Sequence, residues 1–159
     1  MTNLASEIIA RLQGRTLVTA ESCTGGGIGA MLASVSGASA VYKGGIISYC
    51  DDVKHRLLGV PDTLLTRFGA VSAPVAEAMA QGARKTLNAD IAVSVTGLAG
   101  PSGDDFGNPV GTVYIGYADE YLCITKQFCF CGNRGEIRNC AIEEALKIVL
   151  HYSEKEPAE

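Results

Sequence analysis

Ser22 stands in the part of the sequence best suited to nucleophilic chemistry. The segment Thr16–Gly29 begins as a short apolar, β-branched run, passes through Glu-Ser-Cys-Thr and reaches three consecutive glycines before an apolar helical pattern. This order predicts a buried strand, a tight turn and a helix start. Because the amides at a helix start favour an anion or a developing oxyanion, Ser22 is a candidate nucleophile. Capping the helix is the alternative role for a serine at this position.

A nucleophilic serine needs a general base, and Lys54 is the best candidate for it. His55 lies at a charged helix start and His151 lies near the C-terminus, so a triad built on either histidine is not favoured. A lysine can serve instead when burial lowers its pKa toward neutrality. Lys54 falls one turn into a predicted helix that follows a strand ending at Tyr49. A solvated surface charge is the alternative role for this lysine.

A second candidate region begins where another apolar strand ends, at Thr96 and Gly97. Thr96 can present a hydroxyl group to a substrate, and the glycine-rich stretch 97–108, which includes Gly100, can wrap a phosphate or a ribose. Neither glycine stretch matches the P-loop or the dinucleotide-binding fingerprint. Ordinary turns explain both stretches equally well.

Two arginines near the predicted start of the last helix, Arg134 and Arg138, can supply positive charge for a phosphate. Both can equally be surface arginines. The formal net charge of −4 over 159 residues argues against a general nucleic-acid surface. One small phosphorylated ligand is still compatible with this charge.

Composition and termini indicate a globular, cytoplasmic protein. No apolar run is long enough to span a membrane, and the N-terminus is too polar for a signal peptide. The six cysteines are expected to be reduced, and without a C-x-x-C pair they do not indicate a metal site.

Helices and strands must position these residues. Helices alternate with strands early in the chain, and two successive strands that form a hairpin come late. The sequence predicts helices over residues 3–13, 28–35, 51–58, 61–68, 73–87 and 135–152, and strands over 17–20, 41–49, 90–96, 110–118 and 121–131. We expect Gly44-Gly45 to form a bulge or a close backbone approach, and Asp51-Asp52 to cap a helix. The order predicts a single α/β domain over residues 1–152 with a partly parallel sheet and an antiparallel edge, followed by a mobile polar tail at 153–159. Ligands of such sheets bind beyond the carboxyl ends of the strands.

The candidate residues lie in blocks that resemble the CinA C-terminal domain family, which includes the nicotinamide mononucleotide deamidases known as PncC. The resemblance covers residues 4–150. In chain order the blocks are AESCTGG at 20–26, Y-x-G-G-I-I-x-Y at 42–49, Lys54, LLGV at 57–60, GAVS at 69–72, VTGLAGP at 95–101, PVGTV at 109–113, G-x-R at 132–134 and Arg138.

The resemblance implies a three-layer α/β/α fold with a mixed sheet and an amidohydrolase of pyridine-nucleotide salvage. The implied reaction converts nicotinamide mononucleotide to nicotinic acid mononucleotide and ammonia, with no cofactor and no metal. Matched residue by residue, it implies Ser22 and Lys54 as a catalytic pair, with Tyr49 and Thr96 orienting the pair or the amide.

Substrate binding falls on the turn after Ser22, on the second glycine stretch and on the two arginines. The residues are Cys23, Thr24, Gly25, Gly26, Gly97, Gly100, Arg134 and Arg138. We expect the turn amides to hold the oxyanion, and a helix N-terminus with Arg138 to hold the phosphate. A homo-oligomer, either dimer or trimer, is expected because the hairpin leaves a sheet edge to cover.

One departure from the family pattern bears directly on the base. The family commonly reads S-N-x-x-K after the tyrosine that corresponds to Tyr49, whereas this sequence reads Cys50-Asp51-Asp52-Val53-Lys54, and a carboxylate near Lys54 favours its charged form. Three alternatives therefore remain: a non-catalytic nucleotide-binding or regulatory module, an amidohydrolase of another amide, and a thiol-redox protein based on Cys23.

Overall fold

The protein is a three-layer α/β/α structure around one mixed five-stranded sheet, described here from a computed structural model over residues 1–154. The sheet order is β2-β1-β3-β4-β5. The strands are β1 (Leu17–Glu21), β2 (Tyr42–Ile47), β3 (Ile91–Gly97), β4 (Thr112–Ala118) and β5 (Cys123–Cys129). The α-helices within these residues are α1 (Thr2–Arg11), α2 (Gly27–Ala33), α3 (Asp51–Leu58), α4 (Asp62–Phe68), α5 (Ala73–Thr86) and α6 (Arg134–Ser153), with a short 3-10 helix at Ala38–Ala40.

The sheet has a parallel half and an antiparallel half. Strand β1 lies between β2 and β3 and is parallel to both, whereas β4 pairs antiparallel with β3 and β5. All five residues of β1 are buried, as expected for a central strand covered on both faces. The predicted α/β class, the mixed sheet and the late hairpin are confirmed.

Two apolar clusters hold the helices against the two faces of the sheet. One cluster joins the sheet to α1, α2 and α6, and the other joins it to α3, α4 and α5. The predicted buried face of the last helix is confirmed, since its five residues are all buried: Ile137, Ala141, Ala145, Ile148 and Val149. The long apolar faces therefore position α3 on one side of the sheet and α6 on the other.

The predicted irregularity in β2 is a bulge. The pairing of β1 with β2 shifts register between Leu17 and Val18, where the partner changes from Tyr42 to Gly44. A Cβ atom on the next glycine, Gly45, would lie 2.1 Å from the hydroxyl oxygen of Thr19, so only glycine fits there.

Several element ends differ from the sequence prediction. Helix α3 has Cys50 as its N-cap, so Asp51 and Asp52 lie in the first turn rather than capping it. Helix α2 ends at Ala33, two residues earlier than expected. Residues 155–159, most of the predicted tail, lie outside the described residues. Within residues 1–154 no helix combines the length and the apolar character needed to cross a membrane.

Candidate functional site

The carboxyl ends of the three parallel strands converge on one cavity. Ser22 follows β1, Tyr49 follows β2 by two residues, and Thr96 and Gly97 end β3. The cavity has a volume of about 240 Å³. Its lining consists of Ser22, Cys23, Tyr49, Asp51, Lys54, Ala70, Val71, Thr96, Gly97, Leu98, Ala99, Gly100, Ser102 and Arg134. A ligand site at this edge is what an open α/β sheet favours.

Ser22 and Lys54 are in direct contact within this cavity. The Nζ atom of Lys54 lies 3.1 Å from the Oγ atom of Ser22. The Nζ atom also donates a hydrogen bond of 2.7 Å to the backbone carbonyl of Ser48. Lys54 is only 1% exposed, and Ser22 is 8% exposed. Lys54 is therefore not the solvated surface cation that was its alternative role.

The surroundings of Lys54 act on its pKa in opposite directions. Burial lowers the pKa of Lys54 below 10.5, because desolvation disfavours the ammonium form. The carboxylate of Asp51 is the largest of the effects that raise it, followed by the effects of Cys50 and Cys23, and desolvation outweighs them. A neutral amine has a lone pair that can accept the hydroxyl proton of Ser22, which is what a general base requires.

The turn that carries Ser22 is organised by the buried carboxylate of Glu21. Glu21 is 1% exposed and accepts hydrogen bonds from the hydroxyl of Thr24 at 2.7 Å and from three backbone amides. These amides belong to Gly26, Ile28 and Gly29, at 3.1, 3.0 and 2.8 Å. The start of α2 is thus already occupied by an anionic side chain. Sequence reasoning did not assign this role to Glu21, although a carboxylate just before a glycine-rich helix start is a signal for it.

This arrangement also decides the alternative role of Ser22. The N-cap of α2 is Gly26, with a φ of 100°, in the left-handed region that favours glycine. Ser22 lies four residues before this cap, and its hydroxyl oxygen contacts Lys54 instead. Ser22 therefore does not cap the helix.

The turn amides divide into engaged and available donors. The Ser22 amide donates to Val95, and the amides of Gly25 and Gly27 donate to Ser22 and Thr24. Within residues 1–154 no backbone carbonyl accepts from the amides of Cys23 and Thr24, and the Cys23 amide interacts with its own sulfur atom. Cys23 lines the cavity whereas Thr24 does not, so the Cys23 amide is the donor of this turn that lies at the cavity.

Arg134 connects three elements at the rim of the cavity. Its guanidinium donates to the hydroxyl oxygen of Tyr49 at 2.7 Å and to the carbonyl of Gly100 at 2.6 Å. Arg134 is the first residue of α6, so the last helix is joined to the end of β2 and to the second glycine-rich loop. Tyr49 is 59% exposed and lines the cavity, and within residues 1–154 its hydroxyl bonds Arg134 rather than Ser22 or Lys54.

Thr96 fixes the wall of the cavity opposite Ser22. Its hydroxyl donates a 2.8 Å hydrogen bond to the carbonyl of Ala70. Ala70 and Val71 lie between α4 and α5 and line the cavity, although sequence reasoning assigned them no role. The oxygen of Thr96 keeps its lone pairs for a donor such as a substrate amide.

Arg138 holds the Ser22 turn from the side of α6. Its guanidinium donates to the carbonyls of Cys23 and Thr24 at 3.0 and 2.9 Å. Arg138 does not line the cavity, and neither do Thr24, Gly25 and Gly26. The predicted role of Arg138 as a phosphate ligand stays a prediction, while its observed contacts position the backbone of the turn.

The other candidate groups lie away from the site or are poor nucleophiles. Burial raises the pKa of the Cys23 thiol to about 11, so a thiolate is scarce at neutral pH. The Nδ1 atom of His55 contacts the carbonyl of Val60 at 2.8 Å, and the ring of His151 packs edge-on against Tyr152. Within residues 1–154 no group of three or more histidine, cysteine, aspartate or glutamate side chains is arranged to hold a metal ion.

Of the twelve site residues expected from the sequence, eight line the same cavity. They are Ser22, Cys23, Tyr49, Lys54, Thr96, Gly97, Gly100 and Arg134. The cavity also includes Asp51, which the sequence marked only as a departure next to the base.

Comparisons with known proteins agree with this fold. A family model described as the CinA C-terminal domain matches residues 1–153. A CinA-like protein of Geobacter sulfurreducens is 47% identical over 147 residues, which cover 91% of this chain and 36% of the relative. A CinA-like protein of Synechococcus sp. (strain CC9311) is 52% identical over 135 residues, which cover 84% of this chain and 32% of the relative. The chain therefore spans about a third of the length of the curated relatives it matches.

Solved structures of similar proteins share the complete architecture. A CinA superfamily protein from Escherichia coli superposes with a TM-score of 0.93 at 33% identity, covering 95% of this chain and 89% of that one. The competence/damage inducible protein CihA from Agrobacterium tumefaciens superposes with a TM-score of 0.93 at 37% identity, covering 96% and 95%. The described chain thus has a close structural counterpart from end to end.

Proposed function

This chain belongs to the CinA C-terminal domain family, and we propose that it is an amidohydrolase that converts nicotinamide mononucleotide to nicotinic acid mononucleotide and ammonia. The resemblance of its site residues to the PncC deamidases suggests the substrate. The contact between Lys54 Nζ and Ser22 Oγ, 3.1 Å long in a buried site, carries the proposal. Such a pair is the minimum needed to activate a serine without histidine.

Acylation begins when the neutral amine of Lys54 takes the hydroxyl proton of Ser22. The Oγ atom then bonds to the carboxamide carbon, and the carbonyl oxygen becomes an oxyanion near the backbone amide of Cys23, which lines the cavity. Ammonia leaves after the leaving nitrogen takes a proton from the ammonium of Lys54. The products of this step are ammonia and a nicotinoyl ester on Ser22.

Deacylation repeats these transfers with water as the nucleophile. Lys54 takes a proton from water, the hydroxide oxygen bonds to the ester carbon, and the proton returns to Ser22 Oγ as the ester bond breaks. The hydrogen bond from Lys54 to the Ser48 carbonyl fixes the amine through both steps. Nicotinic acid mononucleotide then leaves the cavity.

The charges at the rim suit a phosphorylated substrate. Arg134 lines the cavity and donates a hydrogen bond to the carbonyl of Gly100 in the second glycine-rich loop. Its guanidinium has five donors, of which two contacts, to Gly100 and Tyr49, are made within the described residues. The proposal includes a cytoplasmic location, where pyridine nucleotides are salvaged, and a homo-oligomer that covers the sheet edges.

The test is ammonia release from nicotinamide mononucleotide by the purified protein, with formation of nicotinic acid mononucleotide measured in parallel. Ser22→Ala should lower kcat by about 10⁴-fold or more while the fold is retained. Ser34→Ala is the matched control, because the Ser34 hydroxyl donates to the Met31 carbonyl at the exposed end of α2 and Ser34 does not line the cavity. Normal turnover in the Ser22→Ala protein would rule out the proposed nucleophile.

A nucleotide-binding module without hydrolysis is the second candidate, and Asp51 is the observation that favours it. Asp51 lines the cavity and raises the pKa of Lys54, which favours the ammonium form that cannot act as a base. Saturable binding of nicotinamide mononucleotide without ammonia release would identify this function.

A further inference from the structure

Asp51 is a carboxylate in the cavity for which the reaction steps above give no role. It lies in the first turn of α3 and lines the same cavity as Ser22 and Lys54. Within residues 1–154 its side chain makes no hydrogen bond and no ion pair. Its neighbour Asp52 differs on both points, because Asp52 does not line this cavity and it pairs with Arg56 at 3.5 Å.

The spacing along α3 places Asp51 beside the reacting group. Asp51 and Lys54 are three residues apart on one helix, so their side chains share a face. A carboxamide held between Ser22 and Lys54 is bonded directly to its aromatic ring, so the carboxamide and the ring must share the cavity of about 240 Å³. Because Asp51 lines the same cavity, the ring shares this space with its side chain.

Asp51 and Arg134 are the charged side chains, besides Lys54, that line the cavity. Asp51 stands in the first turn of α3, and Arg134 stands at the start of α6, bonded to Gly100 and to Tyr49. When Lys54 is the neutral amine that the mechanism needs, Asp51 forms no ion pair within residues 1–154. A ligand that carries both a cationic ring and an anionic group matches this pair of charges. The ring of Tyr49, which also lines the cavity, adds an aromatic surface for a cation.

We propose that Asp51 is a specificity residue that selects a positively charged, N-substituted pyridine ring over the neutral ring of otherwise identical structure. This inference rests on the proposed function and deepens it, since it names the charged ring as the part of the substrate that the site recognises. It also gives a role to the aspartate that stands next to the base, where an acidic residue would otherwise only oppose catalysis.

The experiment compares two ligands that differ in ring charge and in the hydride that reduction adds to the ring, and the Asp51 variants separate the effect of the charge. Binding of nicotinamide mononucleotide and of its reduced form, whose dihydropyridine ring is neutral, is measured by calorimetry on the Ser22→Ala protein. We expect the cationic form to bind about fivefold more tightly, the factor that one close opposite charge gives in water. Adding Asp51→Asn should bring the ratio of the two dissociation constants close to one, whereas Asp51→Glu should keep the preference.

Asp52→Asn is the matched control, because it removes the same charge from the same first turn of α3 outside the cavity. With Asp52→Asn added, the ratio of the two dissociation constants should equal that of the parent Ser22→Ala protein. An unchanged ratio in the Asp51→Asn protein, or equal binding of both ligands by the parent, would overturn the inference. Repeating the measurement with Lys54→Met removes any contribution from the charge of Lys54, and the dependence on Asp51 should persist.

The outcome is separable from that of the proposed function. If the unaltered protein hydrolyses nicotinamide mononucleotide but the ratio of the two dissociation constants does not depend on Asp51, only the specificity role is rejected. A ratio that depends on Asp51 in a protein that releases no ammonia rejects hydrolysis and keeps the specificity role. Absence of binding by both ligands rejects both proposals.

Discussion

The two glycine-rich loops at the cavity are each organised by one carboxylate, but to different degrees. In the loop after β1, Glu21 is buried and accepts four hydrogen bonds from the turn and the start of α2. In the loop after β3, Asp104 is partly exposed and accepts from the amides of Phe106 and Asn108 at 3.0 Å and from the Asn108 side chain at 2.8 Å.

This difference matches what each loop has to do. The first loop must hold Ser22 against Lys54, and small displacements of a nucleophile cost large factors in rate. The second loop lines the cavity proposed for the substrate, and its polar contacts lie nearer to solvent. The contacts therefore indicate that the loop after β1, which carries the reacting atom, is more rigid than the loop after β3, which lines the cavity.

The largest expected effect is the loss of activity on replacing Lys54, which contacts Ser22 of the first loop. Lys54→Met keeps the length of the side chain and removes the base, so kcat/KM should fall by about 10⁴-fold in an ammonia-release assay. The free energy of unfolding at pH 7 should rise or stay the same, because an apolar chain replaces a buried amine whose protonated form is disfavoured by burial. A marked loss of stability would contradict this account of Lys54.

The pH dependence of that stability has a definite sign. Because burial lowers the pKa of Lys54 below its unfolded value of 10.5, the unfolded chain binds the proton more readily between the two values. The cost of burying the ammonium is fully present below the folded pKa and disappears as pH rises to 10.5. Denaturation curves at several pH values should therefore show the advantage of Lys54→Met shrinking as pH rises.

The next effect concerns the carboxylate of the first loop. Glu21→Ala leaves four buried donors without an acceptor, and we expect a loss of about 3 kcal/mol or more in the free energy of unfolding, measured with urea. Glu21→Gln retains one acceptor oxygen and should lose less, with kcat reduced in both folded variants. Full activity in the Gln protein would show that Ser22 does not depend on this carboxylate.

The smallest effect is expected at the carboxylate of the second loop. Asp104→Ala should cost about 1 kcal/mol, because its donors lie closer to water and can be solvated. Desolvation acts to raise the pKa of Asp104, but hydrogen bonds from the Asn108 side chain and from backbone amides hold it below the usual value. We expect KM to rise while kcat changes little, measured by steady-state kinetics. A fall in kcat as large as that of Glu21→Gln would remove the distinction between the loops.

Much of the fold could be predicted because its signals are local. Apolar β-branched runs identified the central strands, and Gly59 and Gly69 identified the ends of two helices. The convergence of Ser22 and Thr96 followed from the rule that parallel strands end at one edge. These inferences needed only periodicity and chain order.

The contacts that complete the site depend on sequence-distant partners and could not be predicted in the same way. Arg138 was expected to hold a phosphate, and in the structure its guanidinium holds the carbonyls of Cys23 and Thr24. The amides expected to bind an anion at the start of α2 are engaged by Glu21, a residue whose side chain direction a linear pattern does not reveal. Asp51 was identified beside Lys54, but its place in the cavity lining required the fold of α3.

The bonds between α6 and the turn after β1 have a consequence for how the protein matures. Arg138 and Cys23 are separated by 115 positions in the chain, so the turn acquires its lateral support only after the last helix has been synthesised and docked. Ser22 and Lys54 are both translated before residue 55, yet a nascent chain that has not reached residue 134 has neither the rim residue Arg134 nor this support. The complete set of contacts therefore requires synthesis through residue 138, and a chain cut before residue 134 would retain the serine and the lysine without them.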